Sequence, residues 1–190
     1  MPLTRGRYPI TDPRWTLAGK PSGILRENIS RNDCVTDLTT ALTTQVMGST
    51  ALHLEAGDLV TNLTFRSGAT AAGTPTNWWF ALYDDSATPV LLAQTADQLT
   101  AAWAADTVKT LALATPQLIS RPGIYYAAIM VKATTVPSLI GRTGLAGASA
   151  AWLSGDKVLA QTSGSALTTT APATVATPTT TAFVPRVVAG

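Results

Sequence analysis

Asn77-Trp78-Trp79-Phe80-Ala81-Leu82-Tyr83-Asp84-Asp85 is the stretch whose reading decides the fold. It lies between two proline-containing loops, Gly73-Thr74-Pro75 and Ser86-Ala87-Thr88-Pro89, and it has strand length and the aromatic content that favours strands. At a period of two, Trp78, Phe80 and Leu82 face one side, and Trp79, Ala81 and Tyr83 face the other. Both faces are apolar. The residues therefore predict a central strand covered on both sides, by a second sheet, a long loop or a neighbouring subunit. The competing reading is a Trp pair displayed for stacking on a ligand.

Working outward, residues 124–132 (IYYAAIMVK) are the only other long stretch with two apolar faces, so this strand is expected beside the aromatic one. Tyr125, Ala127, Ile129 and Val131 share one face of it. Residues 59–66 alternate more simply, with Leu59, Thr61, Leu63 and Phe65 against Val60, Asn62, Thr64 and Arg66, as a half-buried antiparallel strand does. Further strands are expected over residues 45–54, with Val46, Leu52 and Leu54 inward, and over 90–94 and 107–114, the last broken by Thr115-Pro116. Ala56-Gly57-Asp58 and Arg121-Pro122-Gly123 mark turns. Residues 96–105 make either a helical turn or a loop that drops Trp103 onto the core.

Residues 141–182 are dominated by Gly, Ala, Ser and Thr, with Trp152, Leu153, Val158 and Leu159 as their one sizeable apolar cluster. Such a composition predicts a long loop that cannot offset its ordering entropy by its own burial. Residues 183–188 (FVPRVV) then predict a terminal edge strand, because of the proline. Many short strands and no periodic helix give an all-β class: an antiparallel β-sandwich, jelly-roll or Greek-key-like, over residues 34–190.

Residues 1–33 form the other region, an extended N-terminal arm. Pro2, Pro9, Pro13 and Pro21 exclude a continuous helix. Six of the 13 basic residues fall here, at Arg5, Arg7, Arg14, Lys20, Arg26 and Arg31. Tyr8, Ile10, Trp15 and Leu17 add apolar anchors. The expected partner-binding residues are Arg5, Arg7, Tyr8, Ile10, Arg14, Trp15 and Leu17; Trp78, Phe80 and Leu82 are the expected core.

Charged residues make up 13% of the 190, about half the usual share. A surface so poor in Lys and Glu is expected to lie against other protein. A net charge of +2 is too small to argue for nucleic acid, so no nucleic-acid partner is expected, nor a membrane one, since no apolar run has the 18 or more residues that span a membrane. The N-terminus has no apolar core of a secretory signal, so Asn28-Ile29-Ser30 and Asn62-Leu63-Thr64 are taken as chance sequons. Catalytic residues are not expected. His53 is the single histidine, Cys34 the single cysteine, and Glu27 and Glu55 the only glutamates. His53 is expected on the surface and Cys34 as a small buried hydrophobe. Asp84 and Asp85 point to opposite faces and are expected to cap a turn. No cofactor or metal is expected, since nucleotide, calcium and nucleophile-elbow motifs are absent.

The runs Gly57-Asp58-Leu59-Val60-Thr61-Asn62-Leu63-Thr64-Phe65 and Ala71-Ala72-Gly73-Thr74-Pro75-Thr76-Asn77-Trp78-Trp79-Phe80-Ala81-Leu82-Tyr83-Asp84 resemble a domain of structural proteins of tailed bacteriophages of actinobacteria. So do Leu91-Leu92-Ala93-Gln94-Thr95-Ala96-Asp97, Thr110-Leu111-Ala112-Leu113-Ala114-Thr115-Pro116 and Gly123-Ile124-Tyr125-Tyr126-Ala127-Ala128. The similarity spans roughly residues 45–170. It implies a non-enzymatic virion protein of the minor tail or capsid-decoration kind, with other virion proteins as partners. Separately, the low charge and the second apolar face of the two long strands predict a closed homo-oligomer, such as a trimer. The alternative is a receptor- or glycan-binding module on the same particle, which requires two exposed, coplanar Trp rings.

Overall fold

The alternation in the aromatic stretch is realised in a computed structural model that describes residues 26–34, 36–144 and 149–190. These residues form one short 3-10 turn, Arg31–Asp33, and thirteen strands. In chain order the strands are β1 Arg26–Glu27, β2 Thr36–Leu38, β3 Met47–Leu54, β4 Leu59–Arg66, β5 Asn77–Tyr83, β6 Leu91–Gln94 and β7 Val108–Leu118. They continue as β8 Gly123–Lys132, β9 Leu139–Thr143, β10 Ala160–Ser163, β11 Thr179–Thr180, β12 Phe183–Pro185 and β13 Val188–Ala189.

All pairings are antiparallel. One sheet runs β11-β10-β3-β8-β5-β6, a second β1-β13-β4-β7 and a third β12-β9-β2. The consecutive strands β3 and β4 lie in different sheets, as do β4 and β5, β6 and β7, and β7 and β8. The chain thus passes repeatedly from layer to layer, which is the wiring of a β-sandwich. The turn between β3 and β4 is sharp enough to place Gly57 at φ 92°, a left-handed conformation that glycine adopts without a Cβ clash.

The aromatic strand sits as its pattern requires. It pairs with β8 in a register that sets Trp78 opposite Val131, Phe80 opposite Ile129 and Leu82 opposite Ala127. Trp78, Phe80 and Leu82 face the inter-sheet core with Leu63 and Phe65 of β4 and Tyr125, Ala127, Ile129 and Val131 of β8. Phe80 stands 4.7 Å from Phe65 and 5.7 Å from Trp103, and Trp78 stands 5.0 Å from Trp103, between ring centroids. Of the two options for residues 96–105, the loop is the one adopted, and it delivers Trp103 to the core.

The opposite face of β5 is covered by the chain itself. Trp79, Ala81 and Tyr83 pack with Met47, Tyr126, Ala128 and Met130 beneath Leu167, Ala171 and Val175 of the segment 164–178. Buried Trp and Tyr need partners for their polar ends. The strap supplies them: Trp79 Nε1–H donates to the Thr168 carbonyl at 2.7 Å, and the Tyr83 hydroxyl to the Pro172 carbonyl at 2.8 Å. Gln94 holds the same strap from β6, donating through Nε2 to Thr169 O and accepting from Ala171 N–H.

Five expectations need correction. First, residues 141–182 are not one long loop: they contain the end of β9, all of β10 and β11, and the strap. Ala160–Ser163 lies between β11 and β3 in the six-stranded sheet, and its polar residues are tolerated because backbone pairing to Met47–Thr50 fixes them. Second, residues 183–188 split into two strands. β12, with Pro185, is an edge, but β13 is inserted between β1 and β4. Third, the alternation of β4 is interrupted. Val60, Leu63 and Phe65 are all buried, because the pairing with β7 shifts register between Val60 and Asn62. Fourth, β7 continues through Pro116 to Leu118. It lies at the edge of its sheet, where a proline does not remove a needed ladder bond. Fifth, residues 26–33 are not part of a free arm: β1 pairs with β13 and ends the four-stranded sheet.

Truncation of the buried rings should be severe. Trp78→Ala or Phe80→Ala is expected to cost about 3–5 kcal/mol, a large share of a typical stability of about 5–15 kcal/mol; urea unfolding measures it. Tyr83→Phe should cost about 1 kcal/mol and speed amide exchange across residues 167–175 while leaving β5 and β8 protected.

Candidate interaction surface

Two surface regions stand out: the root of the N-terminal segment, and an apolar cleft on the outer face of the six-stranded sheet. Arg5, Arg7, Tyr8, Ile10, Arg14, Trp15 and Leu17 lie outside the described residues. The point at which their segment joins the fold is well defined. The Arg26 guanidinium meets the Asp58 carboxylate through two hydrogen bonds, Nε to Oδ2 at 2.7 Å and Nη2 to Oδ1 at 3.0 Å. Asp58 is buried, sits in the β3–β4 turn and also accepts from Glu55 N–H at 2.9 Å. Two residues on, the Asn28 side chain donates to Thr50 Oγ1 and Pro185 O and accepts from Val187 N–H. Glu27 pairs with Arg186, whose Nε donates to Ile29 O. These polar side chains bind β1 to three different parts of the fold, and the alternation of apolar residues gave no sign of it.

The cleft, of about 580 Å³, is walled by Ala51 of β3, Ile124 of β8 and, from the connection between β9 and β10, Ala150, Trp152, Leu153 and Leu159. Trp152 is 76% exposed and Leu153 74%. Its two charged residues are already engaged within the fold. Asp156 Oδ2 accepts the N–H groups of Trp152 and Leu153, at 3.2 and 2.8 Å, and Lys157 Nζ donates to the carbonyls of Asp85 and Ser86, at 2.7 and 3.0 Å. What the cleft offers a partner is apolar contact. Its sequence signal was the Trp152-Leu153 pair within a stretch otherwise made of small residues.

A smaller cavity of about 280 Å³ lies between the sheets' edges, lined by Arg31, Arg66, Arg186, Cys34, Phe65 and Ile140 among others. Its positive charge is offset by the Glu27 partner of Arg186 and by Asp106, 3.8 Å from Arg66. Cys34 is half-buried there, not fully buried; burial pushes its thiol pKa up, and Sγ lies 3.6 Å from Ser30 O. His53 is exposed, 3.7 Å from the Glu55 carboxylate. Asp84 and Asp85 separate as expected. Burial alone would raise the Asp84 pKa, but hydrogen bonds from Ser86 and Val90 outweigh it and hold it low, while Asp85 pairs with Arg121 at 2.6 Å. Trp78, Trp79 and Trp103 are buried, so Trp152 is the only exposed indole among the described residues, and these residues alone form no two-ring platform.

The Arg26 hydrogen bond holds the Asp58 carboxyl below its ordinary pKa, against the opposing effect of burial. A depressed folded-state pKa means that the stabilisation is complete above the unfolded value of about 3.9 and is lost as pH falls through the folded one. Asp58→Asn should therefore flatten the fall in melting temperature below about pH 4. An equally steep fall in the variant would show that other carboxylates govern it.

Comparison with known proteins finds no match to a family model, to a curated protein or to a solved structure.

Proposed function

We propose that this chain is a non-enzymatic structural subunit of a tailed-phage virion, joined to the capsid surface or tail through its N-terminal segment and packed against neighbouring subunits. The observation that carries the reading is the apolar surface around Trp152, Leu153 and Leu159, left open on a protein of low charge. An exposed apolar patch rimmed by engaged polar groups is the usual form of a protein contact site. Leu59 and Leu118, opposite one another at the end of the β4–β7 pair and both exposed, extend the apolar character to a second place.

The fold suits that work. A scaffold subunit needs a rigid body and a firmly rooted attachment segment, and the β1 root meets both needs by tying residues 26–28 to β3, to the β3–β4 turn and to the chain's last strands. Low charge removes the repulsion that keeps ordinary soluble domains apart. The likeness of the strand sequences to phage structural proteins is what supports a virion as the particle. A homo-oligomer, such as a trimer, is the form that buries the apolar cleft in every copy.

Mass spectrometry of gradient-purified particles tests the reading. The chain should be present at a fixed copy number, and Trp152→Asp combined with Leu153→Asp should lower that number at least tenfold with the circular dichroism spectrum unchanged. Particles that lack the chain altogether would overturn the proposal.

A further inference from the structure

On the outer face of the six-stranded sheet the fold leaves a buried amide unused. Gln161 of β10 is 4% exposed, and its backbone is paired on both sides, with Ser49 of β3 and Thr180 of β11. Among the described residues its side chain has no hydrogen-bond partner. An amide in that position carries two N–H donors and an acceptor whose loss of water nothing in the chain offsets. Ser49, directly opposite, is 3% exposed, and its hydroxyl is unpartnered as well. Gln161 lines a cavity of about 370 Å³, whose other walls are Tyr126, the β5–β6 turn, residues 155–158 and Pro178. We infer that this cavity binds one uncharged sugar ring, held through the Gln161 amide.

The free groups around the cavity select for such a ligand. Asp156 and Lys157 are opposite in sign, and both are engaged: the first accepts from Trp152 and Leu153 N–H, the second donates to the Asp85 and Ser86 carbonyls. No uncompensated charge is left to hold an ion. What remains is hydrogen-bonding capacity of both kinds. The Gln161 amide donates and accepts, Lys157 has a third N–H, and the hydroxyls of Ser86 and Tyr126 keep acceptor lone pairs while donating to Asp84 and to the Val158 carbonyl. A ring of hydroxyls, each able to give and to take, can meet all four. Ala87, Pro89, Val158 and Pro178 supply apolar wall for its C–H groups. The volume lies at the lower end of the range of small-molecule sites, about 300–1,000 Å³, which suits one ring.

The site is also held in shape before a ligand arrives. Lys157 ties the connection to the β5–β6 turn, Tyr126 ties it to the sheet at Val158, and Val175 N–H donates to Pro89 O at 2.9 Å. Little ordering is then needed on binding. A single-ring pocket of this kind needs no pair of exposed indoles.

Amide and side-chain NMR on the full-length chain, titrated with D-glucose, D-galactose, D-mannose and N-acetyl-D-glucosamine, tests the inference. At least one sugar should give saturable shifts at the Gln161 side-chain NH2 and at the Ala87 and Val158 amides, with a Kd of about 1 mM. Gln161→Leu should weaken binding at least tenfold with the circular dichroism spectrum unchanged. Ala87→Trp, at an exposed position on the rim, should do the same by filling the cavity, and it serves should Gln161→Leu fail to fold. The methyl glycoside of the bound sugar separates two sources of the ring. Equal binding assigns the end of a glycan, and loss of binding for both anomers assigns a free sugar. No saturable shift at these residues with any of the four sugars would overturn the site, as would undiminished binding by Ala87→Trp. Shifts produced by acetamide alone would overturn the sugar assignment. Particle composition is measured separately, so a chain missing from virions would refute the virion reading without altering these results.

Discussion

Two-sided burial of β5 is the constraint on which the remaining structure depends. A strand that carries Trp78, Phe80 and Leu82 on one face and Trp79, Ala81 and Tyr83 on the other must be covered twice. The second sheet satisfies the first face through ordinary apolar packing. The second face brings an added demand, since Trp79 and Tyr83 carry N–H and O–H groups into a dry layer along with their rings. Each unmet donor there would cost about 1–3 kcal/mol. The strap answers with carbonyls, Thr168 for Trp79 and Pro172 for Tyr83, and Val158 does the same for Tyr126 further along the sheet.

This explains a composition that looked unfit to fold. Segment 164–178 has little apolar bulk of its own, yet Leu167, Ala171 and Val175 reach the layer beneath. Small side chains let its backbone approach closely enough for carbonyls to meet the buried donors. Leu167 N–H also donates to the Gln45 carbonyl, the Gln45 side-chain Nε2 donates back to the Leu167 carbonyl, and Leu91 and Pro89 hold Ala173 and Val175. The free energy that orders the strap resides largely in the sheet below it, which is why the strap's sequence alone understates its order.

Legibility in the sequence followed how much each element owes to its own residues. β5 and β8 were evident because apolar residues on both faces leave few other solutions, and their pairing followed from the same property. β4 was found, but its parity was not carried through: the register shift at Val60–Asn62 is set by β7 and by Gly190, whose carbonyl accepts the N–H groups of both Thr61 and Asn62. β10 (Ala160-Gln161-Thr162-Ser163) has no hydrophobic alternation, and only Met47–Thr50 opposite makes it a strand. β1 and β13, two residues each, are too short for periodicity to act, and their signal lies in the polar side chains of Arg26, Asn28 and Arg186. The Trp152 cleft was half legible. Its apolar cluster stood out in the sequence, but exposure is a property of the assembled surface.

Rigidity and exposure are linked through these same contacts. Lys157, which borders the cleft, is held by the Asp85 and Ser86 carbonyls in the β5–β6 turn, and Asp84 in that turn organises Ser86 and Val90. Tyr126, buried in the second layer, bonds the Val158 carbonyl between Lys157 and Leu159. The connection that presents Trp152 and Leu153 is therefore pinned at its C-terminal side to the strand pair that forms the heart of the sandwich. An apolar surface on a pinned support loses less conformational entropy when a partner covers it than one on a free loop would. The burial of β5 thus both holds the fold together and steadies the support of the exposed Trp152–Leu153 surface.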